Sequence, residues 1–127
     1  MCLTNDAPQW IIDLVTGAGG TLVAPSLGLY LIPDGTAERL VPIIASLKSM
    51  GCRVSLFMDP EPESMSKAAE IGADRIELYT ESYAVAHAAG HFESVLSQFS
   101  EAAAAAHDAG LGINAGHDLN LTNLPNF

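Results

Sequence analysis

Three times in this chain an apolar helical stretch runs into a glycine and then directly into a short apolar strand: Met50-Gly51-Cys52, Ile71-Gly72-Ala73 and Ala109-Gly110-Leu111. Glycine supplies the left-handed backbone that ends a helix and turns the chain back toward a strand. Helix, glycine, strand, loop, helix is the pattern of βα units laid on a parallel sheet. Such crossovers are right-handed, so successive units wind one way and either close into a barrel or stay open. Periodicity does not separate those outcomes. Length adds a bound: 127 residues allow one domain at most, whereas a complete (β/α)8 barrel takes about 200 to 250.

Around this device the elements fall into place. Asp6-Ala7-Pro8 reads as a helix start, with Trp10, Ile11, Leu14 and Val15 at helical spacing behind it. Thr21 to Val23 reads as a short strand, and Leu29 to Ile32 suits a loop or a strand. From Thr36 the pattern is firmer: Leu40, Val41, Ile43, Ile44 and Leu47 form a helical stripe. Strands are expected at 53–58, 75–80 and 111–114. Asp59-Pro60 reads as a turn leading into a helix that carries Met65, Ala68, Ala69 and Ile71. A loop is expected around Ser82-Tyr83, then a long helix with Phe92, Val95, Leu96, Phe99, Ala103 and Ala106 inward. The tail from Asp118 reads as the start of one more helix.

Charge narrows the partners. The formal net charge is −10 with only five Lys plus Arg. That repels nucleic acid and anionic lipid, while leaving room for a small anionic substrate in a locally positive site. Cys2 and Cys52 make neither a disulfide framework nor a zinc motif, and a cytoplasmic location is expected. The first residues do not read as a signal peptide, and no apolar run reaches the ~20 residues of a membrane helix.

In α/β folds chemistry gathers where strands end. Asn114-Ala115-Gly116-His117-Asp118-Leu119 is one such place. Gly116 allows close backbone approach to a ligand, and His117 can move protons near neutral pH. The plainer alternative has His117 bracing the next helix and Asp118 capping it. The second place is Arg75-Ile76-Glu77-Leu78-Tyr79-Thr80, where alternation puts Arg75, Glu77 and Tyr79 on one face. Glu77 is either paired with Arg75 or aimed into a pocket, and a buried carboxylate needs one of these. His87 and His91 are four apart, but no cysteine or carboxylate cluster supports a metal site, and exposed helix positions suit them.

Gly51 to Asp59, Ala68 to Thr80 and Gly112 to Leu119, taken in order and spacing, resemble the pyridoxine 5′-phosphate synthase family. The resemblance runs over 36–127. It implies an α/β fold, a partial (β/α)8 TIM barrel in which parallel strands alternate with helices, with 1–127 forming a single incomplete barrel domain. It implies condensation of 1-deoxy-D-xylulose 5-phosphate with 3-amino-2-oxopropyl phosphate in vitamin B6 biosynthesis, by a transferase that assembles as an octamer and uses no metal or organic cofactor. His117 matches the family's proton donor and Glu77 its transition-state glutamate. Asp118 matches a substrate-binding position where many members have Gly.

The departures carry weight too. The resemblance implies a basic histidine and glutamate, phosphate-holding arginines, a threonine-containing substrate loop and a closing Gly-His turn, none of which has a match here. Glu81 stands where a glycine is usual. The expectation is therefore a fragment, inactive alone, with Glu77 and His117 pointing into one cavity at one rim of a curved sheet. The rival readings are a non-catalytic partial barrel that serves as an interaction module, and another phosphate-handling barrel enzyme.

Overall fold

A computed structural model describes residues 21–23, 29–31 and 37–127. The helix start expected at Asp6 lies outside the described residues. Strands β1 (Thr21–Val23) and β2 (Leu29–Leu31) pair antiparallel, with Thr21 opposite Leu31. This pair stands apart from the otherwise parallel βα pattern. Helix α1 (Ala37–Ser49), strand β3 (Ser55–Met58), helix α2 (Pro62–Glu70) and strand β4 (Arg75–Leu78) follow. Helices α3 (Glu81–Ala88) and α4 (Glu93–Asp108), strand β5 (Gly112–Ala115) and a 3-10 turn at Leu124–Asn126 complete the order. Strands β3, β4 and β5 form one parallel sheet in that order.

The glycine device does what its sequence implies. Gly72 has φ +97, and a Cβ there would meet the Ile44 side chain at 3.3 Å. That position therefore needs glycine both for its left-handed backbone and for its contact with α1. Gly51 and Gly110 share the left-handed conformation at φ 79.

One face of the sheet is buried beneath α2 and α4. Leu56, Ile76 and Leu78 point into it, against Met65 and Ala68 of α2 and Phe99, Ala102 and Ala106 of α4. Ala102 and Ala106 are fully buried. Their small side chains let α4 lie close along its neighbours, which explains the alanine-rich composition of this helix. Ala103, expected on that face, is half-buried, and Val41 of the α1 stripe is exposed.

Two expectations are corrected at the C-terminal end. The expected loop around Ser82-Tyr83 is helical, and Tyr83 is fully buried. Its hydroxyl donates to the Asn123 carbonyl at 2.8 Å, and its ring meets Phe92, Phe99 and Phe127. Gly90, at φ 77, then separates α3 from α4. The tail does not start an α-helix. The Asn120 side chain accepts from the Thr122 and Asn123 amides, and the Asn123 side chain accepts from the Asn120 amide in return. These short-range bonds favour turns over a continuing helix. Asn120, not Asp118, makes the local side-chain-to-amide bonds of this turn.

At the opposite end of the sheet, Asp74 joins three elements. Its carboxylate accepts from the Val54 amide at 2.8 Å and from Lys48 of α1 at 2.9 Å, while Lys48 also donates to the Gly72 carbonyl. The Val54 bond first, then Lys48, hold the Asp74 carboxyl below the usual range. A depressed folded pKa stabilises the fold above the unfolded value, about 3.9, and that contribution fades as pH falls through the folded value. Urea midpoints at pH 7 and pH 3 should fall with acid, and Asp74→Asn should reduce that fall. An unchanged acid dependence in the variant would remove Asp74 from the account. Ile76→Ala in the buried face should destabilise by about 2–5 kcal/mol in the same assay.

Candidate active site at the strand ends

The alternation that buries Leu56, Ile76 and Leu78 turns their neighbours to the opposite face. Parallel register then stacks them in rows. Ser55, Arg75 and Gly112 share one row, and Phe57, Glu77 and Asn114 share the next. The Tyr79 amide donates to the Met58 carbonyl at 2.8 Å, which carries the β3–β4 alignment past Leu78. His117 follows the end of β5. Its ring packs edge-on against Phe57 at 5.7 Å and Tyr79 at 5.8 Å between centroids, and those two rings are 5.3 Å apart. Phe57 is the register neighbour of Glu77, and Tyr79 lies two residues beyond it on the same face. The imidazole is therefore on the Glu77 side of the sheet, toward the strand C-termini.

Arg75 does not pair with Glu77. Its guanidinium donates to Asn114 Oδ1 at 2.7 Å and to the Ile113 carbonyl at 3.3 Å. It lies against Gly112, where a Cβ would fall 2.8 Å from Nη1. That leaves Glu77 half-buried with no ion pair among the described residues. Asn114, named within the strand-end stretch, carried no role of its own in the sequence. Its signal was present, since a polar amide in strand alternation level with a carboxylate belongs to the same row, but the register that aligns them is tertiary.

The rim above these rows is acidic. The Tyr79 hydroxyl donates to Glu81, and its pKa is pushed up to about 12. The Glu81 hydrogen bond is the largest cause, followed by burial and the negative field of Glu81, Asp118 and Asp59. Tyr79 is thus a neutral hydrogen-bond donor throughout the physiological range. Asp59 is exposed, its carbonyl accepts from the Glu61 amide, and it precedes buried Pro60, as a turn before α2 requires.

Asp118 has φ 60, a left-handed conformation, and its carboxylate sits 2.8 Å from His117 Nδ1. The backbone at this position is thus one that favours Gly. His87 and His91 do not form a pair: His87 stacks on Phe92 and meets Asn126, whereas His91 is exposed beyond Gly90. Among the described residues no group of three or more His, Cys, Asp or Glu is placed to hold a metal. Nor is any described helix long and apolar enough to cross a membrane.

Parallel βα units with an acid, an amide and an imidazole on one face near the strand C-termini define the class: a segment of a parallel α/β fold whose polar groups gather where the strands end. The profile of the family described as "Pyridoxal phosphate biosynthesis protein PdxJ" matches residues 26–127, and the chain belongs to that family. The match begins ahead of Thr36, where the sequence resemblance started. The chain is 49% identical over 116 residues to the pyridoxine 5′-phosphate synthase of Xanthomonas campestris pv. campestris (strain B100), covering 91% of this chain and 44% of that protein. It is 53% identical over 93 residues to the synthase of Albidiferax ferrireducens, covering 73% of this chain and 37% of that one. The synthase of Xanthomonas axonopodis pv. citri is 45% identical over 111 residues, covering 76% and 44%. The chain thus spans less than half the length of these curated relatives.

The Arg75–Gly112 contact gives a direct test. Gly112→Ala should push the guanidinium off Asn114 and destabilise the fold by about 1–2 kcal/mol. In an Arg75→Met background the same change should cost less, and strict additivity in a double-mutant cycle would refute the contact.

Proposed function

We propose that this chain supplies part of the active site of a pyridoxine 5′-phosphate synthase, with Glu77 and His117 as its catalytic groups and Asp118 at a substrate-binding position. The observation that carries the reading is the row Phe57, Glu77, Asn114 with the His117 ring seated on Phe57 and Tyr79. The reaction is the condensation of 1-deoxy-D-xylulose 5-phosphate with 3-amino-2-oxopropyl phosphate in vitamin B6 biosynthesis, and the substrates are small phosphorylated molecules. Imine formation, loss of water and ring closure each move protons, which suits an imidazole near a carboxylate. Cationic intermediates gain from a fixed negative charge that no arginine neutralises, which is the state of Glu77.

The acidic rim also bears on what this segment does not do. Asp59, Glu81 and Asp118 crowd the strand ends with negative charge, an unfavourable setting for two phosphates. Phosphate binding therefore falls to cationic groups beyond these strands. On this reading 1–127 is one incomplete barrel domain of a cytoplasmic enzyme that assembles as an octamer, and the 127-residue chain is inactive alone.

A chimera separates the parts of this proposal. Residues 26–127 replace the corresponding segment of the Xanthomonas campestris relative. The chimera should form pyridoxine 5′-phosphate, and the purified 127-residue chain should not. Product from the isolated chain would overturn the fragment reading. In the chimera, His117→Ala should lower kcat by about 10²–10⁴-fold without changing the unfolding midpoint. Unchanged turnover would remove His117 from the mechanism.

A further inference from the structure

We infer that Asp118 is a positioning residue that holds the His117 imidazole in a single tautomer, with the proton on Nδ1 and Nε2 turned over to the site. The inference rests on the reading of His117 as a catalytic group but concerns a different atom of it.

The argument starts from the backbone. Asp118 is the non-glycine residue held at positive φ among the described residues, at φ 60. Such a conformation is tolerated by Asp but disfavoured relative to Gly, so it persists where the surroundings hold it. Those surroundings are present. The Asp118 carbonyl accepts from the buried Asn123 side chain at 3.1 Å, and Asn123 in turn accepts the Tyr83 hydroxyl through its carbonyl. The turn that sets Asp118 is thus anchored to the core through Tyr83.

That conformation brings Asp118 Oδ2 to 2.8 Å from His117 Nδ1. An ionised carboxylate only accepts hydrogen bonds, so Nδ1 must carry the proton. Phe57 and Tyr79 pack edge-on against the ring. Flipping the imidazole within that plane would set a carbon against the carboxylate and lose the hydrogen bond. Nε2 has no hydrogen-bond partner among the described residues, which leaves it as the nitrogen available to substrate. The arrangement follows the general pattern in which the partner of one ring nitrogen decides the chemistry of the other. A glycine at this position would relieve the backbone and remove the carboxylate. Asp118 therefore exchanges an easier turn for an oriented imidazole.

The test needs no activity. Long-range ¹H–¹⁵N spectra of the folded 127-residue protein at about pH 8.5, where imidazoles are neutral, report the tautomer of each histidine. His117 is identified by its loss in His117→Gln. The Nδ1–H form should dominate, whereas exposed His107, which has no side-chain hydrogen bond among the described residues, should show the Nε2–H form favoured by free histidine. Asp118→Gly, which suits the turn, should move the His117 tautomer ratio toward Nε2–H by about five- to tenfold. Asp118→Asn, which keeps an acceptor and tolerates the left-handed backbone, should restore most of the Nδ1–H population. An Nε2–H or evenly mixed His117 in the unaltered protein would overturn the inference, as would a ratio unmoved in Asp118→Gly. Neither result would touch the role of His117 in the chimera, where loss of kcat on His117→Ala tests that reading separately. Both readings together predict that Asp118→Gly in the chimera lowers kcat more than it raises KM.

Discussion

The structure depends on burying one face of a three-stranded parallel sheet. Leu56, Ile76 and Leu78 are pressed between the strands and helices α2 and α4, and apolar burial of that kind is the main favourable term in folding. Because side chains alternate along a strand, the choice of buried face dictates the other. Once Ile76 and Leu78 face the helices, Arg75, Glu77 and Tyr79 must face away. A shift of one residue in β4 would reverse every one of these directions. The polar row that carries the proposed chemistry is thus the direct complement of the hydrophobic core.

The two ends of the sheet are specialised differently. At the strand N-termini, Asp74, Lys48 and the Val54 amide form a closed set of partners that joins α1 to the sheet. At the strand C-termini the polar groups are open: Glu77 has no cation, Nε2 of His117 has no partner among the described residues, and the rim carries Asp59, Glu81 and Asp118. Barrel proteins separate stability from chemistry along the strand direction in this way. Arg75 opens β4 at the N-terminal end, and its side chain reaches toward the other. It is drawn to Asn114 by a 2.7 Å bond and leaves the Glu77 charge uncompensated, which is the condition under which a carboxylate can stabilise developing positive charge.

Some of this was legible in the residues themselves. The three helix–glycine–strand junctions announced parallel βα units, and each glycine takes the left-handed backbone its position required. The two faces of β4 and the inner stripes of α2 and α4 followed from periodicity. Glu77 and His117 stood out because a mid-strand acid and an imidazole after a strand are conspicuous. Other features were not legible for identifiable reasons. Tyr83 sat in a polar stretch, and only its bond to Asn123 and the ring of Phe127 show why it is buried. Asp118 looked like a helix cap because Asp usually is one before an apolar residue. No helix follows it: Asn120 bonds its own downstream amides, and the tail formed turns.

By itself, the order of residues determined much of the local vocabulary: where the parallel βα units fall, where glycine must turn the chain, and which residues of β4 share a face. These depend on backbone conformation and on spacing along one segment, both properties of neighbours in sequence. The tertiary structure alone decided that Arg75 binds Asn114 rather than Glu77, and that His117 rests on Phe57 and Tyr79. Those partners belong to different strands or to the residues just beyond them. Their meeting is set by the relative register of β3, β4 and β5, and no local pattern encodes how far one strand slides along another.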